Sequence, residues 1–167
     1  MSGDTLQTPE TPATGDPGGF SAAALTAQVT RGVCCGLIDL GNAVLTEFTL
    51  RNGRRADIIG IDDSGKVTIV EVKVSTADFL ADAKWPEYRK FCDRLYFAAP
   101  RDFPHGMLPE DCGLFVADAY GAAMLRDAPH LALHASRRKT LLLRFARKAA
   151  SRLYRLNDPQ PGVALSG

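Results

Sequence analysis

Two acidic residues and a lysine stand where an apolar strand would otherwise run. In Val67-Thr-Ile-Val-Glu-Val-Lys-Val74, period-two alternation sets Val70, Val72 and Val74 on one face and Ile69, Glu71 and Lys73 on the other. The preceding apolar segment has the same anomaly, because Asp57 interrupts Ala56, Ile58, Ile59 and Ile61. Charges at such positions are costly unless they are paired or bound to a metal. If the two strands are neighbours, Asp57 and Glu71 approach one point and the backbone carbonyl of Val72 adds a third oxygen. That hard donor set suits Mg²⁺ or Mn²⁺. Lys73 beside it could orient or help deprotonate a water and steady charge on a phosphate oxygen, which is the chemistry of phosphodiester hydrolysis.

The elements that must position these residues are legible from turn and cap signals. Ser21 to Leu40 has apolar residues at helical spacing and ends near Gly41-Asn42. Ala43 to Leu50 reads as a strand and Asn52-Gly53 as a hairpin turn, followed by a second strand over 55–61. Asp62-Asp63-Ser64-Gly65 turns the chain into a third strand from Lys66 to Val74. Ser75 then caps a helix with Asp78 three residues on, and Pro86 ends or kinks that helix and opens another. A fourth strand spans 93–99, two short strands cover 113–117 and 122–126 around a Tyr120-Gly121 turn, and a helix from Ser136 to Arg155 closes the fold. The order predicts an α/β protein with a mixed sheet flanked by helices.

At 167 residues the chain has the length of one domain. The hydrophobic share of 46% and charged share of 23% are those of a globular protein rather than a disordered one. Residues 1–19, rich in Thr, Pro and Gly, and 157–167 read as flexible tails around a folded body at 20–156. No apolar run reaches the roughly 18 to 20 residues that cross a bilayer and no signal-peptide pattern opens the chain, so the expectation is a cytoplasmic protein with no membrane span. Cys34, Cys35, Cys92 and Cys112 lack zinc-site spacing and read as reduced thiols.

The net charge of +1 hides an uneven distribution. Ser136 to Arg155 holds eight Lys/Arg and no acid, leaving twelve Lys/Arg against nineteen Asp/Glu elsewhere. On a helical wheel Leu142, Phe145, Ala146, Ala149 and Leu153 share a face, and Arg137, Arg144, Lys148 and Arg155 form a basic stripe on another. A phosphate backbone, an anionic membrane surface, an acidic partner and plain solvent all suit such a stripe.

Asp57, thirteen residues, then Glu71-Val72-Lys73 resembles the D…ExK signature of the PD-(D/E)xK nuclease superfamily, and the α-β-β-β-α-β order resembles its restriction-endonuclease-like core. Ala56 stands where the proline of the motif's name would be. A longer resemblance, over most of residues 30–127, is to the MmcB-like bacterial DNA-repair proteins. Arg54-Arg55-Ala56-Asp57, Val70 to Ser75, Asp78-Phe79, Asp82 to Tyr88 and Cys92 to Phe97 carry it. It implies a DNA-repair role in a nucleoid-associated bacterial protein.

The superfamily often adds an early acid, which makes Glu47 a candidate; alternation puts it with Leu45 and Thr49, opposite Val44, Thr46 and Phe48. The alternative is a solvent-facing strand residue. Lys84 and Tyr88, four apart, would share a face of a continuous helix, so Lys84 is either a phosphate contact or a surface lysine. Arg54 is the candidate for DNA and Arg55 for an ion pair. Asp78 reads as a helix cap and Asp82 as a structural partner. Trp85, Tyr88 and Tyr96 read as core, and His105, His130 and His134 as surface residues.

Two functions fit this reading. One is a Mg²⁺- or Mn²⁺-dependent nuclease acting on damaged or branched DNA. The other is a non-catalytic DNA-binding or adaptor module that keeps the fold and delivers repair-protein partners. A homodimer would supply two cuts.

Overall fold

The computed structural model describes residues 21–158; both expected tails lie almost wholly outside them. The first helix, α1 (Ala22–Asp39), starts where the Ser21 hydroxyl accepts the Ala24 N–H. Strands β1 (Ala43–Thr49), β2 (Arg55–Ile61) and β3 (Val67–Val72) follow as an antiparallel meander. Gly53 at φ +82° makes the first turn and Gly65 at φ +78° the second. The Asp62 carboxylate accepts the N–H groups of Ser64 and Lys66 and so locks that second turn.

Helix α2 (Thr76–Ala81) and a 3-10 helix (Trp85–Phe91) cross over to β4 (Arg94–Ala99). Strand β4 runs parallel to β3, β5 (Gly113–Ala117) parallel to β4, and β6 (Ala122–Arg126) antiparallel to β5. The result is one open six-stranded sheet in the order β1 to β6, closed on one side by α3 (Ala135–Asn157). Among the described residues no helix is long and apolar enough to cross a membrane.

The sheet separates two cores. Ile58, Val70, Val72, Tyr96 and Phe115 pack beneath α1 with Val29, Val33 and Leu37. Ile59, Val67, Ile69, Leu95 and Phe97 pack on the other side against the 3-10 helix and α3. Each fully buried side chain of this size contributes roughly 1.5–3 kcal/mol. Helix α1 seats closely because Gly32 has no Cβ; one there would collide with the backbone carbonyls of Asp118 and Gly121.

Three sequence expectations need correction. Helix α2 ends at Ala81 rather than at Pro86, because Asp82 leaves the helix to bond Lys73 through Oδ2 and the Lys84 N–H through Oδ1. Pro86 does open the next segment, but as a 3-10 helix, so Lys84 and Tyr88 share no helical face. In β1 the alternation breaks at Glu47, whose φ of +49° costs about 1–2 kcal/mol for a non-glycine residue. Leu45 and Phe48, expected on opposite faces, therefore both pack into the cluster under α3.

The third correction concerns α3. Leu141 is its buried residue, with Phe145 packed on Phe48 at 6.2 Å between ring centroids, while Ala146 is exposed and Leu153 is 61% exposed. Counting apolar residues alone misplaces the inner face, because two arginines also point inward. Arg138 bonds the buried Asp93 carboxylate at 2.6 and 2.8 Å, and Arg152 donates to the Thr46 carbonyl at 2.6 Å.

Candidate active site on the forked strands

The regular ladder between β2 and β3 reaches Ile58 and Val70 and stops. One residue further, side chains replace backbone pairing. The Asp57 N–H donates to Glu71 Oε1 at 3.3 Å, and the Val72 N–H donates to Asp57 Oδ2 at 2.8 Å. The two carboxylates thus wedge between the strands, and each uses one oxygen to satisfy a main-chain donor. Asp57 Oδ1 and Glu71 Oε2 accept no hydrogen bond from the described residues, and neither is a sealed, unsatisfied atom.

Glu71 is 4% exposed. Burial, then the adjacent charge of Asp57, pushes its carboxyl up to about 8. Asp57 is also pushed up, by burial, against the pull of the Val72 N–H and the Lys73 charge. Lys73 offsets only part of the negative charge of this pair, and two spare oxygens on a hard donor set fit a divalent cation that takes one or two carboxylates and fills the rest of its shell with waters and phosphate. Among the described residues no group of three or more His, Cys, Asp or Glu is placed to hold a metal, so the acidic set is a pair.

The raised Glu71 value fixes the sign of a pH effect on the metal-free protein. Between its ordinary value of 4.5 and about 8 the folded state keeps a proton that the unfolded chain releases, so stability is full below that window and falls through it as pH rises. In EDTA, urea denaturation should lose a few kcal/mol between about pH 5 and pH 9, and Glu71→Gln should flatten the profile. Parallel profiles for the two proteins would contradict this.

Lys73 sits beside the pair on β3's continuation, 5% exposed. Its ammonium donates to Asp82 Oδ2 at 2.7 Å and lies 3.8 Å from Asp78 Oδ2. Burial opposes the charge, but the Asp82 hydrogen bond and the charges of Asp82, Asp78 and Glu71 outweigh it and hold the ammonium above its ordinary value. The group is therefore a fixed cation and donor, not a base. Asp82 is the structural partner expected, and Ser75 Oγ accepts the Asp78 N–H at 3.1 Å as the cap signal implied.

Tyr88 closes the same corner, buried, with its hydroxyl donating to the Arg55 carbonyl at 3.0 Å. Burial and the nearby Glu71 and Asp57 push that phenol up, which keeps it a donor. Trp85 and Tyr96 pack edge-on and tilted against Phe97 and Phe115, in keeping with core roles.

The other candidates are less tightly gathered. Glu47 stands level with Asp57, between the pairs Thr46–Ile58 and Phe48–Ala56, yet its carboxylate is 64% exposed and makes only a 3.8 Å contact with Arg55. Arg54, expected to be the DNA contact, is the residue in the firm ion pair, bonding both Glu87 oxygens at 3.0 and 2.9 Å; Arg55 has the loose one. Glu87 lies 33 residues from Arg54, beyond any local sequence signal. Lys84 and Lys148 are exposed, while Arg137 and Arg144 donate to the carbonyls of Lys90 and Thr49.

A family model described as DNA repair protein MmcB-like matches residues 13–160. The chain belongs to the MmcB-like family. Among solved structures, the SPO1766 protein of unknown function from Silicibacter pomeroyi is similar at 40% identity with a TM-score of 0.81, over 84% of this chain and 97% of that one. No curated protein matches. Membership supports a role in DNA repair for this MmcB-like chain, and the solved neighbour shares its fold.

Proposed function

We propose that this MmcB-like protein is a Mg²⁺- or Mn²⁺-dependent nuclease that hydrolyses DNA phosphodiester bonds during repair. The observation that carries the reading is the carboxylate wedge: two acids on apolar strands, each with one oxygen tied to backbone and one left over, beside a buried, permanently charged lysine. Asp57 and Glu71, with the Val72 carbonyl, would hold the ion. The chemistry that such an ion supplies is polarisation of a phosphoryl oxygen and acidification of a bound water.

Lys73 contributes as a donor to the phosphate, aimed by Asp82 and unable to take a proton at neutral pH. Glu71, pushed up to about 8 without a cation, would be held ionised as a ligand once the ion is bound. Glu47, level with Asp57 on β1, is the third acid within reach of an incoming strand. Lys84, Arg137, Arg144 and Lys148 hold the backbone, since phosphate contacts need charge and not sequence, whereas the charge of Arg54 is matched by Glu87.

The direct test incubates purified protein and Mg²⁺ or Mn²⁺ with linear, nicked, branched and single-stranded DNA. Cleavage of at least one, abolished by EDTA, is the expected result. Binding of any of them with every strand left intact would sink the catalytic reading and leave the adaptor.

A further inference from the structure

Between the β1–β2 turn, the end of the 3-10 helix and the first turns of α3 lies a cavity of about 130 Å³. Phe48, Leu50, Phe91 and Leu141 make an apolar floor, and Arg51, Arg137 and Arg144 stand around it with no acidic residue in the lining. An apolar cavity of roughly 150 Å³ admits benzene, so this one takes a single ring system rather than a peptide side chain array.

The cavity arginines share with Arg126 and Arg152, which bond only backbone carbonyls, the lack of a carboxylate partner, and in this they differ from four others. Arg54, Arg89, Arg94 and Arg138 are each matched by a carboxylate, from Glu87, Asp111, Asp127 and Asp93. At the cavity, Arg137 donates to the Lys90 carbonyl at 3.3 Å and Arg144 to the Thr49 carbonyl at 2.9 Å, and Arg51 has no hydrogen bond or ion pair among the described residues. A carbonyl aims a guanidinium without cancelling its charge and leaves most of its N–H donors unused. An apolar slot for one ring, surrounded by aimed and unmatched guanidinium groups, matches a nucleotide: a planar base between two phosphates.

We infer that this cavity receives an unpaired base of the bound DNA, with the phosphates on either side held by Arg51, Arg137 and Arg144. The inference rests on the DNA reading above and goes further, since it makes the preferred substrate one in which a base has already left the stack, where extrusion costs least. Phe48, which lines the cavity, pairs across the ladder with Ala56, the residue next to Asp57 on β2. Cavity and carboxylates can thus engage the same strand.

The test uses the full chain in EDTA and fluorescence anisotropy on two labelled duplexes, one matched and one with a single unpaired thymine, together with free dTMP. Wild type should bind the bulged duplex at least about tenfold more tightly than the matched one. Thr140→Trp, which fills the cavity from its rim, should bring the two within about twofold without weakening matched-duplex binding. Arg51→Ala, at an exposed turn where folding is not at stake, should lower bulged-duplex affinity about fivefold or more. Lys148→Ala, on the same helix but outside the cavity, should weaken both duplexes alike.

Equal binding of the two duplexes by wild type, or a preference that survives Thr140→Trp, overturns the inference while leaving DNA binding intact. Binding of dTMP without any preference for the bulge also overturns it and makes the cavity a free-nucleotide site. Failure to bind either duplex defeats the DNA reading itself.

Discussion

Asp57→Asn is expected to lower metal-dependent DNA cleavage by at least about a thousandfold, a loss of about 4 kcal/mol in transition-state stabilisation. Asparagine keeps an oxygen for the Val72 N–H, now at 2.8 Å from Asp57 Oδ2, so the fork between β2 and β3 should persist and the fold with it. What disappears is charge on the oxygen that has no protein partner. A second readout separates this from a structural defect: without the Asp57 charge, the largest electrostatic cause that pushes the Glu71 carboxyl up, after burial, is gone. The metal-free variant should therefore be more stable than wild type at about pH 8 even though it is inactive. Cleavage within about tenfold of wild type would remove Asp57 from the metal set.

Arg138→Ala should destabilise the protein by about 3–5 kcal/mol, the range for stranding one member of a buried ion pair. Asp93 is 0% exposed, and its carboxylate accepts the N–H groups of Val67 and Leu133 as well as both arms of the Arg138 guanidinium. Those bonds join the start of β3, the approach to β4, the segment before α3 and α3 itself. Without the cation, the carboxylate remains buried with only backbone donors. Adding Asp93→Asn to Arg138→Ala should recover much of the loss, because an amide carries no charge to strand. Urea denaturation of the three proteins checks both statements, and a loss below about 1 kcal/mol for Arg138→Ala would reduce the pair to a surface contact.

The contrast between these two sites explains what could be seen in the sequence. Asp57 and Glu71 announce themselves because a charge inside a period-two apolar run violates a local rule, and the strands on either side of Asn52-Gly53 had only one way to pair. The six strands and the Ser75 cap follow from equally local signals. Asp93 gives no such warning: it reads as an ordinary polar residue opening a strand, and its partner lies 45 positions away. The same non-locality hides Glu87 behind Arg54. Glu47 was misplaced for another reason, since a single left-handed residue reverses the parity that every face assignment in β1 depends on.

Strand β1 forms an outer margin of the sheet, and the carbonyls of Thr46 and Thr49 accept from Arg152 and Arg144. Those two guanidiniums occupy acceptors that a foreign strand would otherwise pair with, and they place charge along the margin, a recognised guard against edge-to-edge association. The basic helix is thus also a chaperone for its own sheet. Truncating it to ask about DNA would expose β1 and confound lost affinity with self-association, whereas charge removal at Lys148 or Arg155, which bond no strand carbonyl, leaves the guard in place.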